Sequence, residues 1–236
     1  GNDDGFQSAS LFGTPLPAGF ASGLAPLKPE ESNTFEIGYK GLLDERAFLD
    51  VSGHVSRYKN FISDTIPISD IRNGIAIIGP DGVPLQEETI SFTNFGNQNV
   101  IGLDLGIHFF ATEQLTLRAN LSAIDADELQ NGNGLTQPFN SPETIVNMGL
   151  TAKDWGRQGT RLNLDLRHVS EHAFMSGIHN GVVPAYTVVN LGIGLQGPNG
   201  IGYRLSARNV LNNRHREFVT GPEIGAVLVG EIEVGF

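Results

Sequence analysis

The chain has 236 residues, with 15 Lys and Arg against 26 Asp and Glu, and its formal net charge is −11. It contains 30 Gly, no Cys and only 17% charged residues, where soluble domains usually carry about 25%. These values exclude collagen, a disulfide scaffold and a thiolate metal site. The acidic charge argues against a nucleic-acid partner, because the chain would repel phosphates.

The start of the chain, Gly1 to Asp4, has no initiator Met and does not resemble a signal peptide. We therefore expect this sequence to begin inside a longer chain. The apolar runs are short, as in Ile75 to Ile78, and none reaches the ~20 residues that a transmembrane helix needs.

Strict alternation of apolar and polar residues runs through most of the chain, as in Leu115 to Ala123 and Leu162 to Leu166. Because successive strand side chains point to opposite faces, each such segment has one apolar and one polar face. The pattern predicts nine strands, over residues 33–41, 46–62, 98–111, 114–125, 143–154, 160–171, 185–196, 201–211 and 226–236.

The connections between these strands alternate between short and long. Short turns are expected at 42–45, 112–113, 155–159 and 197–200, and long loops at 63–97, 126–142, 172–184 and 212–225. Most predicted strands reach the roughly 9–11 residues that a tilted strand needs to cross a bilayer. Together these features predict an all-β fold, an antiparallel up-and-down transmembrane β-barrel with two unequal ends.

Two local patterns refine this prediction. The longest loop carries turn signals at Asn73-Gly74 and at Pro80-Asp81-Gly82, which indicate a small hairpin of its own. Aromatic residues cluster near the short-turn end, where an interfacial girdle would lie, although aromatics also favour strands anywhere. These residues are Tyr39, Phe109, Phe110, Trp155, Tyr203 and Phe236.

An odd number of strands cannot form a complete bacterial single-chain barrel, which has an even number. An open edge in lipid would also leave backbone groups without hydrogen bonds. Either residues 1–30 hide another strand, or the chain is the C-terminal part of a larger barrel with about nine or ten strands here. We favour the second interpretation.

The alternate strand positions that carry polar residues include charges of both signs. A hydrophobic core could not hold these charges unless they were paired. In a wide barrel these side chains would face a hydrated lumen or a polar plug. The lumen-facing candidates are Asp104, Arg118, Arg161, Asp165, Arg167, Arg204 and Arg208, with Asp50, His54, His108, Glu231 and Glu233 on the same parity.

No nucleophile elbow or phosphate-binding loop appears in the sequence, so we expect neither an enzyme nor a bound cofactor. Imidazole and carboxylate groups at His168, Glu171, His172 and His179 could bind a transition metal, but a solvated loop is the favoured interpretation. The segment from Asp125 to Glu128 followed by Asn131 to Gly134 only faintly matches a calcium loop, because the ligand order is broken.

Five segments, taken in order, resemble the C-terminal barrel half of TonB-dependent receptors. They are Leu27 to Gly41 (LKPEESNTFEIGYKG), Arg57 to Phe61 (RYKNF), Asn94 to Asn97 (NFGN) followed by Val100 to Asp104 (VIGLD), Ala207 to Asn213 (ARNVLNN) and the final Val227 to Phe236 (VLVGEIEVGF). The resemblance covers roughly residues 27–236. Asp104 stands where the family pattern has Glu.

The resemblance implies active import across the outer membrane of a Gram-negative bacterium. The complete barrel would have 22 strands around an N-terminal plug, and a short motif ahead of the plug would engage the inner-membrane TonB complex. Plug and motif are not visible here. Residues 1–30 would form an external loop or strand remnant, and residues 31–236 the C-terminal strands. The ligand would be a siderophore, haem, cobalamin or oligosaccharide.

The resemblance also implies contacts with outer-membrane lipid and with the barrel-assembly machinery, which would recognise Ile232, Val234 and Phe236 in the last strand. It places the short turns in the periplasm and the long loops outside. Two alternatives remain at this point: a passive porin or structural membrane barrel, and a soluble β-sandwich binding protein.

Overall fold

The computed structural model describes residues 9–10, 26–63, 66–67, 77–78, 84–85, 89–127, 129–130, 136–176, 179–197 and 200–234. All nine predicted strands are present in these residues. They are β1 (Glu31–Leu43), β2 (Ala47–Lys59), β3 (Gln98–Phe110), β4 (Leu115–Ala126), β5 (Thr144–Lys153), β6 (Thr160–Val169), β7 (Tyr186–Gln196), β8 (Ile201–Arg208) and β9 (Val227–Val234).

The nine strands form one antiparallel sheet in which each strand pairs with its neighbours in the chain. This up-and-down order confirms the predicted partial barrel. The sheet is open, and its edges are β1 and β9. A sandwich would divide the long strands between two packed sheets, so the soluble β-sandwich alternative is excluded.

Two of the strands that end earlier than the alternation predicted stop directly before an asparagine, whereas the predicted strand 160–171 ends at Val169. The predicted strand 46–62 stops at Lys59, because Asn60 has φ = 54°. The predicted strand 201–211 stops at Arg208, because Asn209 has φ = 51°. Asn tolerates this left-handed conformation better than most residues, and a strand cannot continue through it.

Short turns and long loops alternate along the sheet, as predicted. Between β1 and β2, Asp44 and Glu45 both have positive φ, and the nitrogen of Arg46 donates to the oxygen of Leu43 at 3.1 Å, as in a type I′ hairpin. We call this end of the sheet the turn end. The long loops leave the opposite loop end, and we number them L1 (60–97), L2 (127–143), L3 (170–185) and L4 (209–226).

The long loops contain short strands of their own. In L1, Ile77–Ile78 pairs with Pro84–Leu85, which confirms the hairpin predicted around Pro80-Asp81-Gly82. The turn residues themselves and the other turn signal, Asn73-Gly74, lie outside the described residues. The remaining short strands are Ala9–Ser10, Ile66–Pro67 and Thr89–Ser91 in one small sheet, Leu129–Gln130 with Thr136–Gln137 in L2, and His172–Ser176 with His179–Val183 in L3.

One face of the nine-stranded sheet is apolar from edge to edge. In the register of the strands, the apolar row of Val51, Leu105 and Leu121 alternates with polar rows on the opposite face. The side chains of the apolar face are exposed to a large extent, as shown by Ile37 at 70%, Ile101 at 56% and Ile232 at 72%. An apolar surface of this extent requires an apolar environment. Among the described residues, no helix is long and apolar enough to cross a membrane.

Candidate functional site

The polar face of the sheet gathers the charged residues singled out in the sequence. The strand register places all seven lumen-facing candidates on this face, together with the five other charged or histidine residues of the same parity. Three ion pairs join members of this face: Lys40 with Asp50 at 2.8 Å, Arg118 with Asp165 at 2.8 Å, and Arg204 with Glu231 at 3.3 Å. Whether this face borders a lumen stays a prediction.

The Arg118–Asp165 pair spans three strands and depends on the glycine between them. Arg118 of β4 pairs with Gly149 of β5, and Gly149 pairs with Asp165 of β6. A Cβ on Gly149 would lie 2.7 Å from Nη2 of Arg118 and 2.9 Å from Oδ1 of Asp165. The missing side chain therefore leaves the space in which the two charges meet.

Arg167 pairs with a neutral partner, since its Nη1 donates to Oδ1 of Asn147 at 3.0 Å. Among the described residues, Asp104, Arg161 and Arg208 have no ion pair within 4.0 Å. Arg161 and Arg204 flank Gly194 in one cross-strand row. They border a trough of about 530 Å³ at the turn end of the polar face, which Glu231 and Glu233 also line.

The turn end carries part of the predicted aromatic girdle. Tyr39, Phe109 and Tyr203 lie on the apolar face and are exposed, and Trp155 is exposed in the turn between β5 and β6. The ring of Tyr39 lies over Gly41, so its hydroxyl group points toward the turn. The register corrects one member: Phe110 lies on the polar face, because it is adjacent to Phe109 in the strand. Phe236 lies outside the described residues.

At the loop end, one asparagine joins three of the segments noticed in the sequence. Asn94 of L1 accepts from the nitrogen of Lys28 at 2.7 Å, and its Nδ2 donates to the oxygens of Lys28 at 3.0 Å and Asn60 at 2.6 Å. Glu30 accepts from the nitrogen of Ile62 at 2.6 Å. The segments LKPE, RYKNF and NFGN therefore meet in one hydrogen-bonded clip, a role that sequence analysis did not predict.

A small buried core lies beside this clip. Phe95 and Val100 are buried, and Gln98 is completely buried, with its Nε2 donating to the backbone oxygen of Asp127 in L2. The ring of Tyr58 contacts Phe61 in L1 and Phe139 in L2, with ring centroids 6.2 and 6.4 Å apart. L1 and L2 are thus packed on the polar side of β2 and β3.

A second clip fixes the beginning of L4. Buried Asn209 donates from Nδ2 to the oxygen of Asn213 at 2.9 Å, and its Oδ1 accepts from the nitrogen of Asn213 at 3.0 Å. The backbone nitrogen of Asn209 donates to Oδ1 of Asn190 in β7 at 2.9 Å. Asn212 then accepts from the nitrogen of Ala226, at the start of β9, at 3.0 Å. The segment ARNVLNN therefore joins β7, β8 and β9.

The loops are also tied to one another. Asn140 of L2 forms two hydrogen bonds with the backbone of Met175 in L3, at 2.7 and 2.8 Å. His215 of L4 stacks on Tyr186, at the end of L3, with ring centroids 4.2 Å apart. L2, L3 and L4 therefore form one connected surface at the loop end.

Two of the three histidines considered as metal ligands have other partners. Nδ1 of His168 is hydrogen-bonded to Oγ1 of Thr187 at 2.8 Å, and Nδ1 of His172 lies 3.4 Å from the oxygen of Ser170. Within the described part of the chain, no group of three or more His, Cys, Asp or Glu residues could hold a metal ion. Most of the loop that faintly matched a calcium site, 128 and 131–135, lies outside the described residues.

The last strand presents its apolar residues as the alternation predicted. Ile232 and Val234 lie on the apolar face and are exposed, while Phe236 is outside the described range. Their role as an assembly signal stays a prediction.

A sheet with one exposed apolar face, one charged face, short turns at one end and connected loops at the other defines the wall of an outer-membrane type β-barrel. The family model described as "TonB dependent receptor-like, beta-barrel" matches residues 3–212. The chain belongs to this family, whose members are transport receptors of the Gram-negative outer membrane.

Solved structures share the fold. The ferric-catecholate import receptor Fiu from E. coli K12 has a TM-score of 0.63 at 15% identity, over 98% of this chain and 32% of that one. The copper transporter OprC has a TM-score of 0.66 at 16% identity, over 89% of this chain and 31% of OprC. FpvA from P. aeruginosa, bound to heterologous pyoverdines, has a TM-score of 0.65 at 14% identity, over 90% of this chain and 28% of FpvA. The chain thus spans about a third of their length. No curated protein sequence matches it.

Proposed function

We propose that this chain is the C-terminal barrel wall and part of the external surface of an active transport receptor in the outer membrane of a Gram-negative bacterium. The observation that carries the proposal is the division of the sheet into a face with a broad, exposed apolar band and a charged face. Seven of the nine strands have 10 to 13 residues, which reaches the roughly 9–11 residues that a tilted strand needs to cross a bilayer.

The cargo in this proposal is a large, scarce nutrient such as a metal–siderophore complex. Support comes from the names of similar structures, which include a ferric-catecholate receptor and FpvA bound to pyoverdines. The external loops capture the ligand, a plug supplied by the rest of the protein rearranges under the action of the TonB complex, and the ligand passes along the polar face. Asp104, Arg118, Arg161, Asp165, Arg167, Arg204 and Arg208 then line the lumen.

Uptake by the full-length receptor tests the function. It is expressed in a Gram-negative host without its own iron receptors, and ⁵⁵Fe is supplied as ferric catecholate, ferric hydroxamate or haem. We expect accumulation of at least one of these that stops when the host lacks TonB. Accumulation that persists without TonB would instead identify a passive porin, and uptake of none of them would remove this cargo class.

Cysteine labelling in intact cells tests the orientation, and the absence of native Cys from these 236 residues simplifies it. Glu217→Cys in L4 should react with a membrane-impermeant maleimide from outside, whereas Arg157→Cys in the turn between β5 and β6 should react only after the outer membrane is breached. Both side chains are exposed, so accessibility alone does not separate them. The reverse pattern would overturn the topology.

A further inference from the structure

A pocket of about 500 Å³ lies between L3 and L4 at the loop end. One wall is Gly181 to Ala185 of L3, and the other is formed by residues 214–216, 218, 219 and 223 of L4. A Cβ on Gly181 would lie 3.3 Å from Val219, so this glycine lets the two loops approach closely. The volume is that of a typical small-molecule site.

The apolar side chains of this pocket belong to the loops and not to the strands of the nine-stranded sheet. Val182 is 56% and Phe218 45% exposed, although both lie in loops beyond the apolar band. A membrane therefore does not account for their exposure, as it does for Ile37 or Ile232. Exposed apolar side chains grouped in a concave surface indicate a binding site.

The polar groups of the pocket carry an excess of positive charge. L4 folds back on itself through the bridge between His215 and Ile224, which brings Glu223 opposite Arg216. Glu223 lies 3.9 Å from Nη2 of Arg216 and 3.8 Å from Nη1 of Arg214. Both distances exceed that of a hydrogen bond, so one carboxylate loosely neutralises two guanidinium groups. Glu217, the adjacent acidic residue, does not line the pocket.

The backbone that carries these cations is fixed in place. The ring of His215 stacks on buried Tyr186, and its Nδ1 donates to the oxygen of Asn213 at 2.8 Å. Arg214 and Arg216, two residues apart in an extended segment, point to the same side. A guanidinium group binds a carboxylate through two parallel hydrogen bonds and also stacks on flat rings.

We propose that the pocket between L3 and L4 binds an organic anion with a flat apolar body. The ring or chain of the ligand lies against Val182 and Phe218, and its acidic group takes the place of Glu223 beside Arg214 and Arg216. This proposal deepens the proposed function, because it gives the chemistry of one ligand site among the external loops.

Binding of 6-fluoro-2-naphthoate to the full-length receptor in lipid nanodiscs, followed by ¹⁹F NMR, tests this site. The uncharged control ligand is 6-fluoro-2-naphthamide. We expect the amide to bind about tenfold more weakly than the acid, since a hydrogen bond to a charged group contributes about that factor. The double variant Arg214→Gln and Arg216→Gln should lose the same factor for the acid and none for the amide.

Two further variants separate charge recognition from misfolding. Glu223→Gln removes the competing carboxylate and should tighten naphthoate binding about threefold, a gain that a damaged pocket could not give. Arg157→Gln, at the turn end, should leave binding unchanged. The proposal is overturned if naphthoate does not bind, if acid and amide bind equally to the natural protein, if Glu223→Gln weakens binding, or if Arg157→Gln weakens it as much as the double variant.

This test is independent of the proposed function. If iron uptake is found but the affinity for naphthoate is unchanged in the pocket variants, the pocket inference fails and the transport function stands. If binding follows the pocket variants but none of the three iron sources is imported, or import persists without TonB, the pocket stands and the proposed active import of iron complexes fails.

Discussion

In the middle of the sheet, apolar side chains lie on one face and remain exposed, whereas at the loop end Phe95, Val100, Val169 and Val183 are buried. The middle contains mainly backbone ladders and partly exposed ion pairs, and the loop end contains a buried asparagine and a stacked pair of rings. The apolar face of the middle therefore needs an apolar environment to cover it. The loop end carries its own core and can hold a defined external surface.

The largest expected effect separates the two faces of the middle region. Leu205→Arg, on the apolar face of β8, should destabilise the full-length barrel in a bilayer by about 2–4 kcal/mol, because the charge enters hydrocarbon. Ser206→Arg, the next residue on the polar face opposite Gly192, should change stability by less than about 0.5 kcal/mol. Urea unfolding in vesicles measures both, and equal costs would show that the faces are misassigned.

The next effect tests whether the loop end has a core of its own. Asn209→Ala should destabilise by about 3 kcal/mol, because it removes two buried side-chain hydrogen bonds and places Ala at φ = 51°. Asn209→Gly keeps the backbone conformation and should cost about 1 kcal/mol less. The same unfolding measurement applies, and a negligible cost for both variants would mean that the clip does not stabilise the loop end.

A smaller effect should stay confined to the loops. Asn140→Ala removes the two hydrogen bonds to the backbone of Met175, so hydrogen exchange at the Met175 amide should accelerate about tenfold. The Val210 amide, bonded to the oxygen of Val189, serves as the internal control and should not change. Acceleration at both amides would indicate that the loop end opens as one unit.

The smallest effect compares two glycines of the polar face. Gly149→Ala should destabilise by about 0.5 kcal/mol, because the new Cβ displaces the half-exposed Arg118–Asp165 pair. Gly192→Ala should stabilise by about 0.5 kcal/mol, because the nearest atom to its Cβ would be 3.7 Å away and Ala has less conformational entropy to lose. Paired unfolding measurements should therefore give changes in the free energy of unfolding with opposite signs for the two variants. Changes of the same sign would contradict this prediction.

Local alternation determined much of the fold before any contact was known. A period of two identifies a strand and its faces from side-chain chemistry alone, which is why all nine strands and the grouping of Asp104, Arg118 and Arg204 on one face could be predicted. The alternation of turn and loop lengths likewise fixed the two ends. Strand limits at Lys59 and Arg208 were missed, because a polar Asn fits an alternating pattern whatever its φ.

Only the tertiary structure decided which residues act together. The clip around Asn94 joins segments up to 66 residues apart, and the Arg118–Asp165 pair depends on the register of three strands across Gly149. Sequence alone suggested histidines as candidate ligands, whereas the pocket at Arg214 and Arg216 arises from the approach of L3 to L4 at Gly181. Periodicity is a property of neighbouring residues, but a site depends on distances between strands and loops that no local pattern records.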